Sequence, residues 1–300
     1  MPHVSFNQTR ATLIGGIAIL LWALLALLTS IARGIPPFQL LALTFGVACL
    51  VSLALLALRG REALARLRQP LPVWLTGVGG LFGYHFFYFV ALNNAPPVEV
   101  SLIAYLWPLL IVLFGGRLRW FHLAGALCGL AGAVLLVTRG GQVSFQAQYA
   151  LGYAAALACA FTWSSYSVIN RRFGQVSTEV VAGFCGAVAA LGLLSHILLE
   201  QWVTPAAGQW LAILGLGIGP VGLAFFAWDH GTKHGSLPTL GALSYGAPLL
   251  STLLLIAFGQ AEASWAVGLA CALIVGGALL ASRGLLRPAL RGATAVADSD

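Results

Sequence analysis

Asp229 and His230, followed by His234 four residues on, set an acid and two imidazoles at a spacing that can hold a divalent metal on a helix. That would be the chemistry of a metal-dependent membrane hydrolase. Against it, Gly231 and Gly235 weaken a helix, Lys233 adds a positive charge beside the ion, and no third ligand set is evident. A polar elbow between two apolar segments accounts for these residues better. The chain has no HExxH, GxSxG or Walker-type phosphate loop, so neither a catalytic triad nor an ATP-driven step is read from it, and no cofactor is expected.

A second grouping suits binding better than catalysis. Tyr84 and Tyr88 are four apart and share a helical face, with His85 beside them. After a polar elbow at Asn93–Pro97, Tyr105 and Pro108 fall in the middle of the next apolar segment, and Tyr245 and Pro248 repeat that spacing 140 residues later. A proline inside a membrane helix releases a backbone carbonyl, which is tolerable only where protein groups or a water-filled cavity receive it. This stretch therefore reads as a cavity wall. The candidate substrate contacts are Trp22, Tyr84, His85, Tyr88, Asn93, Tyr105, Pro108, Trp163, Ser244, Tyr245 and Pro248. Helix-break carbonyls, Asn93, Ser244 and the phenols would hold an amino-acid zwitterion, while Trp22 or Trp163 would stack on an aromatic side chain. Phe225 and Trp228 are read as an inner gate opposing the Tyr84/His85/Tyr88 cluster. Trp107 also lies near mid-segment, whereas Trp74, Trp120, Trp202, Trp210 and Trp265 sit at segment ends as interface residues. Glu62, Glu99, Glu179, Glu200 and Glu262 fall at or beyond segment ends, and no carboxylate is read in the middle of one. That argues for a neutral site and for facilitated export down a gradient, or for coupling carried elsewhere.

The elements that must position these residues are membrane helices. With 60% hydrophobic and 8% charged residues, a chain of 300 cannot solvate a globular surface. Charges and turn residues divide it into segments about as long as the ~20 residues a helix needs to cross hydrocarbon. They are Ala11–Ala32, Pro37–Leu58, Leu71–Leu92, Pro96–Gly115 and Trp120–Thr138, then Tyr149–Ile169, Val180–Leu199, Trp210–Trp228, Ser236–Phe258 and Ser264–Ser282. The fold class is thus all-α membrane, with ten transmembrane helices. Residues 11–138 form a first five-helix repeat, 139–148 a polar connection, 149–283 a second repeat and 284–300 a disordered tail. The five cysteines all lie inside apolar runs and read as packing residues.

Charge and repetition test this division. Ten spans leave thirteen of the fifteen Lys and Arg on one side and only Arg33 and Arg139 on the other, which predicts both termini in the cytoplasm. The net charge of +7 is therefore a topology signal, and no nucleic-acid partner is invoked. Trp22 meets Trp163 at an offset of 141, Tyr88 meets Trp228 at 140, and Gly125, Cys128 and Arg139 meet Gly268, Cys271 and Arg283 at 143 to 144. Five spans per half is an odd number, so the second repeat is inverted relative to the first around a central cavity.

The prolines of the fourth and ninth spans, the tryptophans of the first and sixth and the glycine-rich fifth and tenth resemble the EamA branch of the drug/metabolite transporter superfamily. The aromatic run GYHFFYFVALNNAPPVEVSLIAYLWPLL is most similar to the YddG-type aromatic amino-acid exporters of bacterial inner membranes. One departure stands out: where many members carry a glutamate just after the fourth span, this chain has Gly115-Gly116-Arg117, and Gly259-Gln260 in the second half. The resemblance implies a multi-pass bacterial inner-membrane secondary transporter, working by alternating access on aromatic amino acids or related small solutes. The lipid bilayer is its surroundings, and a monomer is expected. The alternatives are a broad metabolite or drug exporter and the hydrolase centred on His230 and His234.

Overall fold

The computed structural model describes residues 6–116 and 118–283; the tail read as disordered lies outside them, as does Arg117. Among the described residues, ten long helical segments occupy the ten expected places. They are Asn7–Ile31, Pro37–Leu58, Leu71–Asn94, Pro97–Phe114, Trp120–Thr138, Ala150–Ile169, Thr178–Leu199, Ala207–His234, Leu237–Ala257 and Trp265–Ala281, here the first to tenth spans. Eight are long and apolar enough to cross a membrane, and the tenth is a shorter apolar helix of 17 residues. The sixth, at 20 residues, is long enough but carries Thr162, Ser164, Ser165, Tyr166 and Ser167 in its second half. Its polarity is internal: Ser164 and Ser167 are buried and donate to the Phe161 and Trp163 carbonyls of their own helix.

Most of these helices are straightforward, but four are irregular near their middles. The first is interrupted after Trp22 and resumes at Leu25; the fourth breaks at Tyr105–Leu106 and the ninth at Ser244–Tyr245, with each tyrosine three residues ahead of a proline. The eighth winds into a π-helical stretch at Gly217–Leu223, around Pro220. A break in hydrocarbon is stable only if its carbonyls find donors. Here Ser251 Oγ donates to the Ala23 carbonyl at 2.8 Å, Tyr245 Oη to the Tyr105 carbonyl at 3.1 Å, and Trp22 Nε1 to the Pro220 carbonyl at 3.1 Å.

The eighth span corrects the sequence reading. It runs to His234, so Asp229–His234 is helix and not an elbow. Gly231 does not loosen the helix because it is a contact surface: a Cβ there would stand 2.5 Å from the Gly15 Cα of the first span. Lys233 is not a free charge either, since it pairs with Asp229. Close packing and charge matching override the local propensity.

The principal packing pairs are the fifth span with the tenth, the third with the sixth, the second with the seventh and the first with the eighth. Exchanging the halves turns the third–sixth pair into the eighth–first pair and leaves the other two unchanged, which is the pattern two copies of one five-helix unit must give. Gly125 and Gly277 let the fifth and tenth spans approach until each Cα position lies against the other's carbonyl. One end of the bundle gathers the arginines, where Arg66 Nη1 and Arg59 Nη1 donate to Glu179 at 2.9 and 3.4 Å. At the opposite end Glu200 accepts from the Phe38 and Gln39 backbone N–H groups, capping the second span.

Gly129 offers a test of this packing, because a Cβ there would meet the Tyr245 ring at 2.5 Å, while one on Gly276 would meet nothing within 4 Å. Gly129→Ala is expected to destabilise the protein by about 1–3 kcal/mol through overpacking. Gly276→Ala is expected to leave it unchanged or raise it by about 0.5–1 kcal/mol through helix propensity. Thermal unfolding of the two variants in detergent, followed by size-exclusion fluorescence, compares them; equal melting midpoints would contradict the close approach.

Candidate functional site

Four tryptophans meet at the centre of the bundle. Trp22 of the first span, Trp107 of the fourth, Trp163 of the sixth and Trp228 of the eighth touch in all six pairings, with ring centroids 5.1 to 6.3 Å apart. Two come from each half of the chain. The helix breaks help to bring them there, since Trp22 closes the helix before the first break and Trp107 opens the helix after the fourth-span break. All four are buried. Two indole N–H groups are already engaged, Trp22 with Pro220 and Trp228 with Ser167 Oγ at 3.1 Å. These two rings therefore offer their faces and edges to a neighbour, and edge-to-face contact with another aromatic ring is the interaction such surfaces favour.

Around this tetrad lie most of the residues singled out from the sequence. Tyr84 touches Trp163 at 5.3 Å and stacks on Tyr88 with ring planes 3° apart. The side chains of Tyr84, Tyr88 and Tyr105 lie near one another. His85 lies against Phe45 and Phe225, and its Nδ1 donates to the Leu81 carbonyl at 2.7 Å, which leaves Nε2 as the ring nitrogen free to accept. Phe225 completes the ring contacts to Trp22 and Trp163. The two aromatic clusters read as opposing gates are thus not separate: they join through the tryptophans into one continuous aromatic body.

Other expected contacts stand elsewhere. Asn93 is exposed at the end of the third span and does not join the cluster. Ser244 is buried and donates to the Leu240 carbonyl of its own helix. Tyr245 is fully buried in a second cluster with Ala126, Leu249 and Ile274, and its hydroxyl is used by the Tyr105 carbonyl. Pro108 and Pro248 are buried beside their helix breaks. Tyr245 therefore bonds from the ninth span to the fourth through its hydroxyl, whereas Tyr105 contributes its backbone carbonyl to that bond. His230 and His234 have ring centroids 4.9 Å apart with the rings tilted at 53°, but among the described residues no group of three metal-ligating side chains comes together.

The sequence reading missed Phe45, whose ring stacks on Phe225 at 5.5 Å, and the π-helical stretch at Pro220. Phe45 has no sequence signal, being one apolar residue in an apolar span. Pro220 was visible as a proline inside a span with Gly217, Gly219 and Gly222 around it. The sequence also hid the polar lining at the arginine-rich end, where Asp229, Lys233, Asn170 and Thr178 are joined.

Comparison with known proteins bears on what this arrangement serves. The chain is 58% identical over 282 residues to the aromatic amino acid exporter YddG of Ancylobacter novellus, covering 92% of this chain and 98% of that protein. It is 25% identical to the aromatic amino acid exporter YddG of Escherichia coli (strain K12), over 91% and 97% of the two chains. A crystal structure of a protein 57% identical superposes with a TM-score of 0.87, covering 92% of this chain and 98% of that one. The profile of the EamA-like transporter family matches twice, over residues 9–138 and 150–283, the stretches that hold the two sets of five helices. Two copies of that family's unit, exchanging partners across a shared aromatic centre, make this chain a member of the EamA-like transporter family, a family of transporters and not of enzymes.

Proposed function

We propose that this protein exports aromatic amino acids across the bacterial cytoplasmic membrane by alternating access, with the arginine-rich end and both termini in the cytoplasm. The observation that carries the reading is the tetrad of tryptophans, two from each half, set where the halves meet. A flat, polarizable wall of this kind recognises another aromatic ring and has little to offer an aliphatic or strongly hydrated solute. Identity of 58% to a named aromatic amino acid exporter supports the same substrate class.

The conformation is read from an asymmetry. Tyr84, His85, Tyr88 and Tyr105 touch or approach the buried cluster yet remain half-buried, whereas Phe225, Trp228 and the polar residues below them are buried. Access is therefore from the end opposite the arginines, with the tetrad as the floor and Tyr84, Tyr88 and Tyr105 as the wall. Rocking of one repeat against the other would close that side and open the other. Asp229 brings a carboxylate into a helix, but its ion pair with Lys233 adds no net charge to the route.

Counterflow in liposomes tests the substrate and the energetics together. With unlabelled phenylalanine inside, labelled phenylalanine is expected to enter, to be displaced by tryptophan and tyrosine, and to ignore an imposed pH gradient. Uptake that follows the gradient would overturn the uncoupled mechanism, and absence of uptake by folded protein would overturn the substrate class.

A pair of tryptophans tests the site. Trp163 is 3% exposed and touches the other three tetrad members, whereas Trp265 is 68% exposed at the start of the tenth span. Trp163→Phe removes indole edge contacts worth about 0.5–1.5 kcal/mol per aromatic pair, so phenylalanine affinity is expected to fall by about threefold to tenfold. Trp265→Phe is expected to change it by less than about twofold, as surface substitutions generally do. Equal effects at equal expression would remove the tetrad from the binding site.

A further inference from the structure

The eighth span carries a second site that the aromatic reading leaves unused. Phe225, Trp228, Asp229, Thr232 and Lys233 recur at helical spacing along one buried face. The upper turn of that stripe is aromatic and joins the tetrad. The lower turn is an ion pair, Lys233 Nζ to Asp229 Oδ2 at 2.8 Å, with side chains 1% and 0% exposed. Asn170 Nδ2 donates to Asp229 Oδ1 at 3.0 Å, Thr178 Oγ1 donates to Asp229 Oδ2 at 2.7 Å, and Lys233 Nζ also donates to the Val176 carbonyl at 3.1 Å. Asn170, Val176 and Thr178 lie in the stretch from the end of the sixth span to the first residue of the seventh, so that stretch closes over the pair at the arginine-rich end.

A pair buried this completely is weak evidence for stability, because well-packed apolar residues in its place are often as stable or more so. Its distinctive property is that it has two satisfied states: bonded to itself when covered, and bonded to other charges or water when uncovered. An α-amino acid carries the complementary ammonium and carboxylate on one carbon atom, a short reach from its side-chain ring. Along this helix Asp229 lies one residue, about 1.5 Å, and Lys233 five residues, about 7.5 Å, beyond Trp228, so the ion pair begins directly beside the aromatic turn of the stripe.

We propose that Asp229 and Lys233 are the loading site for the zwitterionic head group at the cytoplasmic end. When the 170–178 stretch moves away, Asp229 takes the ammonium and Lys233 the carboxylate while the ring lies toward Trp228; once the substrate has moved up onto the tetrad, the two side chains rebond to each other. The Asp229–Lys233 bond seen here is the unloaded form of that site. An aromatic amine or an aromatic acid alone leaves one partner unmatched, so the site selects molecules bearing both charges. This inference rests on the exporter reading above.

The experiment uses inside-out membrane vesicles, in which the arginine-rich end faces the medium, and measures competition of labelled phenylalanine uptake by phenylalanine, phenylethylamine and phenylpropionate. For the wild type both analogues are expected to compete about tenfold or more weakly than phenylalanine, the effect of losing one charge-assisted bond. In Lys233→Met phenylethylamine is expected to match phenylalanine, and in Asp229→Asn phenylpropionate is expected to do so. The swap Asp229→Lys/Lys233→Asp retains both charges and is read in place of single variants that fail to fold: preference for phenylalanine over both analogues supports the site. A loss uniform across the three ligands, folded single variants that keep the wild-type preference, or a folded swap that loses it, would overturn the loading site while leaving export intact. Wild-type vesicles that carry no phenylalanine would instead overturn the exporter reading, and this inference with it.

Discussion

A backbone carbonyl released inside hydrocarbon must find a donor, and in this protein three donors cross from one half of the chain to the other. Ser251 of the ninth span serves Ala23 of the first, Tyr245 of the ninth serves Tyr105 of the fourth, and Trp22 of the first serves Pro220 of the eighth. The irregular helices and the union of the repeats are thus one arrangement: the irregular stretches of the first, fourth and eighth spans each have a carbonyl served from the other half. The breaks in turn turn the chain so that Trp22 and Trp107 point to the centre, where Trp163 and Trp228 meet them. A pair of uninterrupted five-helix units would have no need of the cross-bonds and no common aromatic centre.

The same cross-bonds constrain how the molecule can move. In the rocking motion proposed above, bonds anchored at mid-span would change least and contacts at the two ends most. The arginine-rich end is held by the Asp229–Lys233 network and by Glu179 with Arg59 and Arg66. The opposite end is held by Glu200 on the second span and by Gln39 exchanging bonds with Val203. The centre is aromatic and adaptable, the ends polar and directional.

Much of this was legible in the residues. The 140-residue offset between Tyr105-x-x-Pro108 and Tyr245-x-x-Pro248 marked the repeat, and the alternation of arginines marked the spans. What the offset could not say is that Tyr245 would spend its hydroxyl on Tyr105, which makes equivalent residues in the two halves unequal in role. The end of the eighth span was misplaced because Gly231 and Lys233 are poor signs of helix when read alone; one packs on Gly15 and the other is neutralised by Asp229, and neither partner is local enough to be read from a window of sequence. Asn93 looked available because it is polar beside a cavity-wall sequence, yet the third span carries it past the cluster to the exposed end.

The polar face of the sixth span has a consequence for biogenesis. A helix bearing Thr162, Ser164, Ser165, Tyr166 and Ser167 partitions poorly from the translocon into lipid by itself, because its hydroxyls gain nothing from acyl chains. Its partner is the third span, where Gly80 leaves the space that Tyr166 fills. The third span is synthesised first and is apolar enough to enter alone. The second repeat is thus expected to settle in the bilayer against the first, and a chain severed at residues 139–148 leaves its latter part without the surface on which its leading helix packs.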